Sequence, residues 1–308
     1  MCVEQVCERV AEKISWPQRF KKKQSMHSFQ SCNAPYAKTG FTLVELIVVI
    51  VLVGILSALG GTLVTRHMES YVAMSRRAEL VDSAEQALRR MQRDIRAALP
   101  NSIALFNGQR GLCLLHAADG GRYRARGPGD ALSFNSTDTS FAVIGHLHRN
   151  EAGLIDPTVH NGSVVVYNTG QYPANAYNGT NISPVTDVLA NNATDGSDRI
   201  ELASRSFPYA SPQQRFFIVD SQVRYVMDPA AETLRRYERN STAITNPSSS
   251  LPGDWGQGAL VARHVTNSTF TYLPGTPTRS GMVTLRLSLA DEGEQVSLLH
   301  QVHVLNAP

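Results

Sequence analysis

Residues 41–64 read FTLVELIVVIVLVGILSALGGTLV, a stretch of 24 residues whose only ionisable side chain is Glu45. A helix lying on a water-facing protein surface keeps one polar face, and no such face exists between Leu46 and Leu56. At 1.5 Å per residue the stretch reaches roughly 36 Å, enough to cross a bilayer's hydrocarbon core with some tilt. No second stretch of this kind occurs, so a single span is expected. All five lysines (Lys13, Lys21, Lys22, Lys23 and Lys38) precede it. By the positive-inside rule this puts the N-terminus in the cytoplasm and the C-terminal mass on the far side. A cleavable secretory signal fits less well. Its apolar run covers about 7–15 residues and its small-residue cleavage site follows that run. Here the run is longer and Gly40 precedes it, with Ala58 and Gly60 only mimicking such a site.

The rest of the composition narrows the chemistry. The chain has 308 residues, 42% apolar and 18% charged, which excludes a disordered polymer. Beyond Gly40 there are 22 arginines against 23 acidic groups, a formal charge of −1. The bulk of the chain is therefore not a basic nucleic-acid binder. Without lysine after residue 38, a Walker A lysine, a Schiff-base lysine and a Ser-x-x-Lys nucleophile are all excluded there. Cys2, Cys7 and Cys32 precede Gly40 and Cys113 alone follows it, so neither a disulfide framework nor a multi-cysteine zinc site is available.

Glu45 is the anomaly of the apolar stretch. A charged carboxylate in hydrocarbon costs on the order of a few kcal/mol, less near the interface. Either it lies close enough to the headgroups to be harmless, or a cationic partner meets it in the working state. Gly40-Phe41-Thr42-Leu43-Val44-Glu45 followed by an apolar run resembles the N-terminal processing motif of type IV prepilins and type II secretion pseudopilins. The resemblance implies that a prepilin peptidase cuts after Gly40 and methylates Phe41. It also implies that Glu45 pairs with the terminal amine of a neighbouring subunit. Such a buried pair fixes register more than it adds stability. Residues 1–40 then form a leader, long for the family and with Lys38 and Thr39 before the glycine. Starting at Met26 would leave an ordinary length, so residues 1–25 read as a misassigned start.

Past the apolar stretch (41–64) the helix is expected to continue over 65–99. Gly54, Gly60 and Gly61 are expected bend or melting points, since glycine costs about 1 kcal/mol against alanine in a helix. Met74, Val81, Ala84, Leu88, Met91, Ile95 and Ala98 recur at helical spacing, with arginines and Glu85 on much of the other face. Pro100 ends the pattern, giving one helix over 42–99. The stripe reads as a core face against a sheet. Strand text follows at 112–115, 131–134, 141–144, 163–167, 216–219 and 223–227. The clearest is an alternating strand at 283–289, joined through Asp291-Glu292-Gly293 to a hairpin partner at 296–305. Residues 168–198 and 240–258 read as long loops, 20 of the first 31 residues being Asn, Asp, Gly, Ser, Thr or Pro.

Residues 80–103, 215–238 and the closing hairpin resemble the MshO family of MSHA pilus biogenesis proteins, low-abundance minor pilins similar to the J-type minor pseudopilins. The resemblance implies an α+β type IV pilin fold, with a long N-terminal helix packed on an antiparallel sheet head at 100–308. It implies a structural role in pilus assembly rather than catalysis. The implied partners are prepilin peptidase, other pilins, an inner-membrane assembly platform and membrane lipid, with no cofactor and no nucleic acid. In this family a second cysteine often stands where this chain has Met227, which implies that Cys113 has lost a disulfide partner. A J-type pseudopilin is the alternative, and a membrane-anchored periplasmic enzyme or sensor a remote one.

Other constellations carry less. His146-x-His148 and His300-x-x-His303 lack a carboxylate set to complete a metal site. Asp187, Asp195 and Asp198, with Asn191 and Asn192, form an oxygen-rich stretch whose spacing matches no fixed calcium loop. They remain a weak calcium candidate. Gly253-x-x-Gly256-x-Gly258 lacks the flanking strand and helix of a phosphate cradle. The Asn-x-Ser/Thr triplets, such as Asn135-Ser136-Thr137, reflect a polar surface. No nucleophile–base–orienter set is visible.

Overall fold

The computed structural model describes residues 40–127, 129–149, 159, 161–191, 196–240, 244–247, 255–275 and 280–304, the side chains of 59–66 excepted. The leader therefore lies outside the described residues, apart from Gly40. The chain falls into two compact units, Met1–Gly61 and Thr62–Pro308.

Helix α1 covers Leu43–Arg96, 54 residues. It is not interrupted at Gly54, Gly60 or Gly61, so the expected melting points do not melt. It also stops short of the expected residue 99. Residues 97–99 leave the helix because strand backbone captures them. Ala117 N–H donates to Ala97 O and Leu99 N–H to Leu115 O, each at 2.8 Å. Pro100 then follows a chain that has already turned extended.

Among the described residues twelve strands follow, and their pairings are antiparallel. One sheet holds β1 (Ala104–Phe106), β2 (Gly111–Arg122), β3 (Asp138–Ala142), β4 (Ser163–Val166) and β5 (Ile182–Leu189). Its other members are β6 (Arg199–Arg205), β7 (Arg215–Asp228), β8 (Thr233–Asn240) and β9 (Ala259–Ala262). A second sheet has the order β10 (Val265–Leu273), β11 (Gly281–Asp291), β12 (Glu294–Val304). The hub is β7. One edge pairs with β2 along its length, while the other pairs first with β4 and then with β8. The larger sheet forks there.

The expected hairpin is present: β11 and β12 stay in register from Gly281↔Val304 to Asp291↔Glu294. Its two loop residues have positive φ, Glu292 at 41° and Gly293 at 92°. That is the twist-matched two-residue turn, and Gly293 takes the more demanding position. Two expectations fail. Residues 131–134 form no strand, although Leu132 is buried. The first polar stretch is not one loop, since it contains β5 and a 3-10 turn at Ala176–Asn178. In β5 the buried positions are Ile182, Ser183, Val185 and Val188, too few apolar side chains to mark a strand locally.

The α1 stripe is the core face expected, but it begins at Leu80. Met74 is 73% exposed. Leu88, Met91 and Ile95 pack with Leu112 and Leu114 of β2, with Val223, Tyr225 and Met227 of β7, and with alternate residues of β11 from Val283 to Leu289. A second core fills the β3–β6 arm around Phe141, Ile200 and Phe216. The register of β2 and β7 slips around Ala117 and Asp220, and such a bulge reverses which side chains face which side. Even positions Phe216 and Ile218 are therefore buried before it, and odd positions Val223 and Tyr225 face the helix after it.

Polar contacts fasten the helix to this sheet. The Asp94 carboxylate of α1 accepts from Tyr225 Oη at 2.8 Å and from Arg236 Nε at 2.7 Å. Burial, reinforced by Asp94, pushes the Tyr225 phenol far above its usual range. His116 of β2 lies 2.7 Å from Asp220 of β7 through Nδ1. The Asp220 hydrogen bond raises the His116 pKa, outweighing burial, which lowers it.

Two outcomes are expected. Leu88→Ala, at a position with no exposure, costs about 2–5 kcal/mol in urea unfolding, whereas Leu299→Ala, half exposed on β12, costs under about 0.5 kcal/mol. A raised histidine pKa stabilises the fold fully below the unfolded value of about 6.5 and ceases to do so as pH rises through the folded value. The stability gap between wild type and His116→Gln, followed by urea titration across that window, is therefore widest at the acid end and closes towards alkaline pH.

Candidate functional site

The N-terminal residues are built upward from a helix cap. Thr42 Oγ1 accepts from the Glu45 backbone N–H at 3.3 Å, and Thr42 O accepts from Leu46 N–H at 3.2 Å. Thr42 is thus the N-cap, and Thr42-Leu43-Val44-Glu45 has the Ser/Thr-x-x-Glu signature of a capping box. That signature is local and legible in the sequence. Glu45 stands in the first turn, where a carboxylate also meets the positive end of the helix dipole.

Around this cap the apolar side chains join no core among the described residues. Phe41 is 80% exposed, and Leu43, Val44 and every large apolar residue from Leu46 to Leu56 are exposed as well. An apolar surface that wraps a helix completely is stable only when lipid or other protein covers it. Among the described residues no helix is long and apolar enough to cross a membrane. The apolar stretch whose side chains are described ends at Ala58.

Of the calcium candidate, Asp187, Asn191 and Asp198 are described. Asp198 is fully buried and spent on protein: its carboxylate pairs with Arg149 Nη2 at 2.7 Å and accepts from Leu147 N–H at 2.8 Å and Asn191 N–H at 3.0 Å. Although burial alone would raise it, the Asn191 and Leu147 hydrogen bonds and Arg149 hold its pKa below the usual carboxylate value. Asp187 is exposed on β5, its Oδ1 accepting from Val188 N–H at 2.7 Å. Asp195 and Asn192 lie outside the described residues. Among the described residues no group of three ligating side chains gathers. His146 instead sits 3.4 Å from Asp198, while His148 donates its backbone N–H to Asp119. His300 and His303, three apart on β12, fall on opposite faces of the strand.

Cys113 departs furthest from expectation. It is unpaired and buried, and its cross-strand neighbour on β7 is Arg224. Met227 packs on the other face of the sheet, against α1, so a cysteine there would not face Cys113. Gln222 Nε2 donates to Cys113 Sγ at 3.2 Å, and Tyr177 Oη lies 3.4 Å from it. Arg224 is stacked with its Cζ 4.6 Å from the Trp255 ring centre and 5.5 Å from that of Phe106. Its Nη2 donates to Thr245 Oγ1 and Asn246 O. Burial raises the Cys113 thiol pKa, and the Gln222 and Tyr177 hydrogen bonds only partly offset this. A thiol so held is a packing group, not a nucleophile. Register is what hid the cluster from sequence reading, because its members come from 113, 177, 222, 224 and 245.

With that geometry in view, residues 36–61 match the family described as the prokaryotic N-terminal methylation motif. No curated protein and no solved structure matches the chain significantly. The chain thus carries a prepilin-type N-terminus, and the motif supports a type IV pilin-like protein, membrane-anchored or pilus-associated. A helix with antiparallel sheets fits a pilin-like fold.

The register yields a test. Met227→Cys under oxidising conditions is expected to leave Cys113 a free thiol, read by mass spectrometry of the peptide containing it after alkylation in denaturant.

Proposed function

We propose that this chain is a minor type IV pilin of the MSHA system, of the MshO kind, acting as a structural subunit in pilus biogenesis or assembly initiation. The observation that carries the reading is the joining of Gly40-Phe41 and Glu45 to a helix apolar on every side. Prepilin peptidase cleaves between Gly40 and Phe41 and methylates the new terminal amine. The apolar helix is held in the inner membrane as a single span, with the sheet-bearing unit in the periplasm, until neighbouring pilin helices replace lipid around it. Glu45 then neutralises the terminal amine of an adjacent subunit. In this reading the protein is no enzyme, and its partners are the peptidase, other pilins and the assembly platform. The motif and helix serve a J-type pseudopilin equally well. Co-purification with MSHA pilins or with secretion pseudopilins separates the two.

The expected mature N-terminus is N-methyl-Phe41 by mass spectrometry; an intact leader or cleavage near Gly60 overturns the proposal. Glu45→Val is expected to be cleaved and inserted normally, yet to be lost from assembled filaments by immunoblot of sheared pili. Normal incorporation would remove the pairing role.

A further inference from the structure

A groove of about 580 Å³ opens where α1 ends against β2 and β7. It is lined by Arg96 of the last helical turn, Arg122 at the end of β2 and Arg215 at the start of β7. The lining also includes apolar surface from Phe217, which is half-buried, and Ile144, which is 49% exposed. None of the three guanidinium groups has a carboxylate partner among the described residues. The single acidic side chain lining the groove, Asp119, is already occupied. One oxygen accepts from Gly120 N–H at 2.7 Å and the other from His148 N–H at 2.9 Å.

We infer that this groove docks an acidic peptide segment of a partner protein, one that carries carboxylates beside an aromatic or large aliphatic side chain. Three forked donors around an apolar floor match carboxylates bidentately while the floor takes the apolar side chain. The floor distinguishes this from a site for a bare anion, which needs donors and no apolar surface. The charge balance distinguishes it from a polyanion track. Beyond Gly40 the chain is formally −1, and a nucleic-acid or polysaccharide binder extends its positive surface well past one groove. Phosphate, a polyanion or a second copy of this chain would each leave a different mark. The inference concerns only the unit Thr62–Pro308 and stands apart from the reading of the N-terminus.

The test uses the full chain in neutral detergent and a fluorescent octapeptide of alternating aspartate and phenylalanine, followed by anisotropy. Saturable binding is expected, weakened at least about tenfold when asparagine replaces aspartate or alanine replaces phenylalanine. Arg122→Gln combined with Arg215→Gln, both surface changes that leave the cores intact, is expected to weaken binding to a similar degree, and circular dichroism checks that the fold is kept. Equal binding of the asparagine or alanine peptide, or an unaffected double variant, overturns the proposal. So does full competition by inorganic phosphate or by polyuronate at equal charge concentration. Self-association of the wild type that the double variant abolishes, seen by sedimentation, assigns the groove to a second copy and overturns it too.

Discussion

A helix can bury only the stripe that another element covers, and α1 meets that constraint in two ways. From Leu80 to Ile95 its apolar residues form one stripe, and β2, β7 and β11 cover it. From Leu43 to Leu56 apolar residues surround the axis, and among the described residues they stay exposed. Fully burying one leucine-sized side chain is worth about 1.5–3 kcal/mol. The covered stripe therefore supplies most of what ties helix to sheet. The exposed turns hold a comparable gain per residue that the described residues leave unrealised.

Strand β7 translates the stripe into the rest of the fold. After the bulge its odd residues face α1; before it, the even residues Phe216 and Ile218 join the other core. One strand with two phases can serve two cores, with β4 and β8 sharing its outer edge. The side facing away from α1 is then left to Gln222 and Arg224, both fully buried. They are accommodated because Thr245, Asn246, Trp255 and Cys113 pack against them or hydrogen-bond to them. The Arg224 guanidinium stacks on the Trp255 and Phe106 rings, a planar contact that a lysine would lose.

How much of this could be read from sequence follows the range of each signal. Helix α1 and the β11–β12 hairpin were legible because each carries its period locally, and Glu292-Gly293 supplies the turn chemistry. Strand β5 was not, because Ser183, Pro184, Thr186 and Asp187 read as loop, and only pairing with β4 and β6 makes them strand. Residues 131–134 erred in the other direction, apolar enough for a strand yet without a partner ladder among the described residues. The bulge at Asp220 has no local signature, so neither the facing of Met227 nor the company of Cys113 could be foreseen. At the N-terminus the methylation motif matched over residues 36–61 was legible from local sequence, whereas the groove of Arg96, Arg122 and Arg215 exists only once β2 and β7 are paired.

Glu45 can be weighed against its local alternative. Thr42 Oγ1 already caps the helix, so capping does not require an acid at this position. What remains for Glu45 locally is the reciprocal arm of the capping box and attraction to the helix dipole, the latter about 0.3–1 kcal/mol at an exposed site. Surrounding it with lipid or apolar protein costs several kcal/mol if the charge stays unpaired. The local gain is too small to offset that cost, and the polar alternatives at the third helical position would carry none of it. A carboxylate is therefore favoured here only where a positive charge arrives from outside the helix, and in the proposed assembly the terminal amine freed by cleavage between Gly40 and Phe41 would be that charge. Under that proposal the same arithmetic would select a stagger: shifted by one residue, both charges would stay buried and neither would be neutralised.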